Sequence, residues 1–176
     1  MRRFLLGLIL LALLFGSPYA AVFLNRAMGP WSATGIEQDG SVTQFTFDPN
    51  MPPPDFVPMF PGASIVQSSR VVSKAAPSGV GFLELAVHGS AEEVRDFYQA
   101  HLLAAGFAVD DLGLQGLNPA TAAYLGMEGT LVGKRLATDD VLTIQIRDEE
   151  GILFRSRLLQ LNWRKLSEWP AGQPRP

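Results

Sequence analysis

The chain has 176 residues and no cysteine, with 14 Lys and Arg against 17 Asp and Glu. It can carry neither a disulfide nor a lipid-modified N-terminal cysteine, so an exported domain would have to stand on its core alone. Three of the basic residues, Arg2, Arg3 and Arg26, precede Ala27; the other 11 face all 17 acidic residues, a net −6 from Ala27 onward. That balance argues against nucleic acid and against an anionic membrane surface as bulk partners.

Residues 4–24, FLLGLILLALLFGSPYAAVFL, are 21 residues without a charge. As a helix they would span roughly 30 Å, the thickness of a bilayer's hydrocarbon core. A cleaved signal peptide needs a shorter apolar core and small residues at positions −3 and −1 of the cut. Cleavage after Ala20 or Ala21 would set Pro18 or Tyr19 at −3, and the apolar run continues to Leu24. Residues 1–27 therefore read as an uncleaved signal-anchor, a transmembrane helix. Arg2, Arg3 and the α-amino group outweigh Arg26. The positive-inside rule then leaves the N-terminus in the cytoplasm and the remainder outside the cytoplasmic (inner) membrane, in the periplasm or its equivalent.

Residues 28–61 read as a membrane-proximal hairpin and a proline-rich connector. Asp39-Gly40 is a type I′ hairpin signal, and Thr43, Phe45 and Phe47 alternate after it. Pro49, Pro52, Pro53, Pro54, Pro58 and Pro61 then impose an extended path. Phe56, Val57, Met59 and Phe60 are too apolar for a free linker, so this connector should lie against the domain.

Residues 62–168 read as one α+β domain: a two-layer arrangement of antiparallel sheet with one main packed helix. Ala63–Ser73 is a strand candidate, Ala75–Gly79 a loop, and Val80–Val87 a second strand. Ser90 and Glu93 form a capping box ahead of a helix over about 91–105. Val94, Phe97, Tyr98, His101, Leu102 and Ala105 make a single stripe on that helix, and Gly106 is its terminator. Phe107–Asp110 begins another strand, and Asn118-Pro119 caps a short helix ended by Gly126. Gly129–Leu136, Val141–Arg147 and Ile152–Lys165 form an antiparallel meander. Its second hairpin suggests a three-residue loop, Glu149-Glu150-Gly151, which opposes Ile146 to Phe154 and Leu142 to Leu158. The apolar phase then moves to Leu159, Leu161 and Trp163, which predicts a bulge near Leu158. Residues 169–176 read as a disordered tail.

Phe60-Pro61-Gly62-Ala63, a strand ending near Val87, and then Ser90, Glu93, Val94, Phe97-Tyr98, Leu102 and Gly106-Phe107 resemble a recurring bacterial pattern. It belongs to small membrane-anchored or exported α+β proteins of uncharacterised function. The resemblance covers about residues 56–110 and implies an α+β domain outside the cytoplasmic membrane. It carries over no site residue.

Arg147, Arg155 and Arg157, with Lys134 or Arg135 nearby, would share one sheet face in that register. They form the only charge constellation with predicted geometry, a candidate surface for an anionic partner. His101 reads as a rim histidine of the helix, and Ser90 beside His88 is explained by capping rather than nucleophilic chemistry. Two histidines without ligand spacing suggest no metal, and no motif calls for a cofactor. Asp139-Asp140 and Asp148-Glu149-Glu150 read as solvated hairpin tips. The chain is thus expected to be a single-pass anchored domain, a binding or accessory module with an envelope protein partner rather than an enzyme. The alternatives are a hydrolase or transferase using Glu84, Asp110, Asp111 and Glu128, or a passive structural subunit of a membrane complex.

Overall fold

The structure is a computed structural model that describes residue 27 and residues 29–37, 39–115, 118–150 and 155–169, with only the backbone of 149, 150, 155 and 156. The apolar segment 4–24, the turn at Gly151 and residues 170–176 lie outside the described residues. Among the described residues no helix is long and apolar enough to cross a membrane.

Eight strands form one antiparallel sheet: β1 (Trp31–Ile36), β2 (Val42–Phe47), β3 (Ser64–Ser73), β4 (Ala76–Val87), β5 (Ala108–Asp111), β6 (Met127–Arg135), β7 (Asp140–Glu150) and β8 (Arg155–Lys165). Their spatial order is β1-β2-β3-β4-β8-β7-β6-β5. Helix α1 (Ala91–Ala104) follows β4, and the short α2 (Pro119–Tyr124) lies between β5 and β6. The architecture is α+β, mostly sheet. The hairpin β1–β2 is hydrogen-bonded to β3, so the boundary drawn at residue 61 runs through continuous sheet.

α1 is specified at both ends. The Ser90 hydroxyl accepts from the Glu93 N–H at 3.1 Å, and Glu93 accepts from the Ser90 N–H at 2.6 Å. At the C-terminus Gly106 adopts φ +81°, the Gly106 N–H donates to the Leu103 carbonyl and the Phe107 N–H to that of Leu102. This is a Schellman closure, which only a residue at ease with positive φ accommodates. Between the ends, Val94, Tyr98 and Leu102 are fully buried against Leu83, Leu85, Val87, Leu131, Ile144, Ile146, Leu159 and Leu161 of the sheet. Each such side chain contributes roughly 1.5–3 kcal/mol by leaving water. The connector closes this core: Val57 is buried in it, and Phe56 and Phe60 pack on it.

Four local expectations are corrected. The first hairpin has Glu37 opposite Ser41, with the Glu37 N–H donating to the Ser41 carbonyl, and of Asp39 and Gly40 only Gly40 takes positive φ. A type I′ turn needs positive φ at both central residues, so the loop is one residue longer than Asp39-Gly40 suggests. β4 begins at Ala76, inside the expected loop. Pro77 is tolerated because β4 runs past β8, whose last pair with it is Gly81↔Trp163, so no β8 partner needs its missing N–H.

The third and fourth corrections concern β7–β8. Ile146 opposes Leu159, Ile144 opposes Leu161 and Leu142 opposes Trp163, in unbroken register without a bulge at Leu158. The partner of each β7 residue is displaced by five positions from the expected one. An odd displacement exchanges the faces of β8. What decides it is burial: Leu159, Leu161 and Trp163 must lie under α1, and the Phe154–Leu158 phase cannot supply that core. Trp163 also demands the glycine opposite it, because a Cβ on Gly81 would lie 1.9 Å from the indole ring.

Candidate functional site

The exchange of faces divides the arginine constellation. Arg147 opposes Leu158 whereas Arg157 opposes Asp148, so Arg147 and Arg157 stand on opposite faces of the sheet. Arg147 donates to Glu84 Oε1 at 3.0 Å on the face away from α1, where Gln160 donates to the same oxygen at 3.2 Å. Arg157 lies on the α1 face. It donates to both oxygens of Glu128, at 2.5 and 3.1 Å, and to the Gly89 carbonyl. The Glu128 carboxylate holds the guanidinium even more firmly protonated than usual. Arg157 thereby ties β8 to β6 and to the loop entering α1. Arg155 occupies the register position opposite Glu150. Lys134 pairs with Asp110 at 2.7 Å, and Arg135 lies over the Phe107 ring, 4.8 Å from its centroid.

The four carboxylates of the enzymatic alternative meet four different cations. Glu84 pairs with Arg147, Asp110 with Lys134, Asp111 with Arg95 at 3.3 Å, and Glu128 with Arg157. His101 is exposed on α1 with its Nδ1 2.7 Å from the Phe97 carbonyl and its ring 4.0 Å from that of Phe97, and Ser90 is engaged in its cap. His88 is exposed at the end of β4. Among the described residues no three His, Asp or Glu side chains are grouped to hold a metal.

A different constellation forms where the proline-rich connector crosses the ends of β3 and β8. Met51, Pro52, Pro53, Pro54 and Phe56 on one side, and Arg70, Trp163 and Lys165 on the other, enclose a groove of about 390 Å³. The prolines supply a wall whose backbone offers few donors. Arg70 donates one hydrogen bond, to the Ser78 carbonyl at 2.7 Å, and lies against Gly79. Arg164 opposes Val141 and so turns to the other face, where its guanidinium rests 5.0 Å from the Trp169 ring centroid.

Asp140 anchors the floor of this groove. It is 6% exposed, unlike the solvated tip expected of Asp139-Asp140. It accepts from Lys165 at 2.7 Å, Arg135 at 2.7 Å and the Thr138 hydroxyl at 2.5 Å. Burial works to raise its pKa, but these three donors outweigh it and hold the carboxyl below the usual aspartate range. Asp139 turns the chain at φ +61° and accepts from Ser167, which fastens the β8 end to the β6–β7 turn. The sequence signal for this cluster was the recurrence of Arg135, Asp140 and Lys165 at three strand ends, legible only once β8 is in register.

No family profile, curated protein or solved structure matches this chain.

Proposed function

We propose that the chain is a single-pass membrane-anchored accessory module of the bacterial envelope, and that it works by binding. In this reading residues 4–24 span the cytoplasmic membrane, the N-terminus lies in the cytoplasm, and the sheet domain stands outside. The groove under the proline-rich connector receives an anionic segment of an envelope partner. The observation that carries the binding reading is the groove's chemistry: Arg70 and Lys165 line one cleft beside Trp163 and Phe56, on a chain whose net charge from Ala27 onward is −6. A basic cleft selects a partner segment of complementary charge. Arg70 commits one donor to Ser78 out of the five a guanidinium carries.

Co-purification of the full chain from detergent-solubilised membranes tests this, with Arg70→Glu beside the native chain. One reversed surface contact worth about 0.7 kcal/mol should lower recovery of a bound partner about threefold. Equal recovery with both chains would sink the groove as the binding surface.

A further inference from the structure

The face of the sheet turned away from α1 is apolar at its β1–β4 end. Trp31 opposes Phe47, Ala33 opposes Phe45, Phe47 opposes Ser69, Phe45 opposes Val71, Ser69 opposes Phe82 and Val71 opposes Val80. These two rows of cross-strand neighbours contain no charged residue. The Trp31 ring lies 5.2 Å from Phe45 and 5.8 Å from Phe47 yet remains 47% exposed. Charge returns at the margins, with Glu37, Asp39 and Lys74 at the hairpin tips, and Arg164 beside Val80 and Glu84–Arg147 toward the centre of the sheet. β1 itself is an edge strand whose six residues are all exposed, and its sequence WSATGI has no Lys, Pro or acidic side chain of the kind that guards edges. The other edge, β5, has four residues, two of them Asp.

We infer that this aromatic end of the sheet rests on the bilayer that holds the chain, with Trp31 in the interfacial layer. The inference rests on the anchor reading above. Chain length limits the choice of occupant. Six residues, 25–30, separate the apolar run from Trp31. Fully extended they reach about 20 Å, so Trp31 cannot stand far from the headgroups. Tryptophan is enriched at that boundary because its ring is apolar and its N–H is wet. A domain of net −6 would not be drawn to anionic headgroups by charge; the contact is made by the exposed Trp31 ring, backed by half-buried Phe45 and buried Phe47, and needs no basic patch. Docking would also cover the unguarded β1 edge and orient the basic groove relative to the membrane plane.

The absence of cysteine makes a single spin label unambiguous. The full chain carrying Ala33→Cys, and separately Gln99→Cys on the exposed side of α1, is reconstituted into phosphatidylcholine vesicles. Flotation reports whether the chain stays with lipid. Collision with oxygen, which concentrates in lipid, is compared with collision with a water-soluble nickel chelate. The inference expects flotation, an oxygen-to-nickel ratio several-fold higher at 33 than at 99, and loss of that difference on Trp31→Glu. Flotation with equal ratios overturns the docking and leaves the anchor standing. Flotation with strong spin–spin broadening at 33 assigns the surface to a second copy and also overturns it. Chains that fail to float overturn both.

Discussion

Asp140 is the residue on which the groove depends. Its carboxylate faces Arg135, Lys165 and Thr138 from a buried position at the start of β7, so its removal strands two cations at once. We expect Asp140→Asn to lower unfolding free energy at neutral pH by about 1–3 kcal/mol, the cost of leaving charged donors without their acceptor. Urea titration followed by tryptophan fluorescence reads this. The pH dependence has a definite sign. The folded pKa is lowered relative to the unfolded chain, so the unfolded state binds the proton more tightly. The stabilisation is complete above the unfolded pKa, near about 4, and is lost as pH falls through the lower folded value. The native chain should therefore lose its advantage over Asp140→Asn as the pH is brought below about 4. A gap of constant size between pH 7 and pH 3 would contradict the assignment.

At the scale of elements, α1 draws its stability from its ends as well as its buried face. Ser90→Ala removes the acceptor of the Glu93 N–H and should cost about 1 kcal/mol. Thermal unfolding checks it, and Ser90→Asp should retain most of the stability because a carboxylate caps as well. α1 was legible from sequence because cap, stripe and terminator are all local: Ser90, Glu93, Val94, Tyr98, Leu102 and Gly106 lie within 17 residues. α2 with Asn118 and Gly126 was legible for the same reason. The β7–β8 pairing was not. Local turn chemistry at Glu149–Gly151 and the phase of Phe154 and Leu158 favoured one register, while the need to bury Leu159, Leu161 and Trp163 imposed another. Polarity alone could not arbitrate, since either register sets some arginines on a common face. The expected Arg147–Arg155–Arg157 surface failed with the register: Arg147 and Arg157 face opposite ways, each held by its own glutamate. The groove stayed hidden because its lining comes from Met51–Phe56, Arg70 and Trp163–Lys165, segments that only the sheet brings together.

At the scale of the whole molecule, one sheet carries two unlike regions. The α1 face holds the main core and, at its connector end, the basic groove; the other face ends in the Trp31–Phe45–Phe47 cluster close in sequence to the apolar run. In the proposed reading both regions acquire meaning from the position of the bilayer, so the topology of the chain is the claim on which the rest of that reading depends. The most direct measurement is labelling of full-length Gln99→Cys in cells with a permeabilised outer membrane, using a membrane-impermeant maleimide before and after lysis, together with carbonate extraction of the membranes. Gln99 is exposed on α1, and no native cysteine competes for the label. The account predicts full labelling before lysis and retention of the chain in the carbonate-washed membrane pellet. Labelling only after lysis, or release of the chain by carbonate, would contradict it.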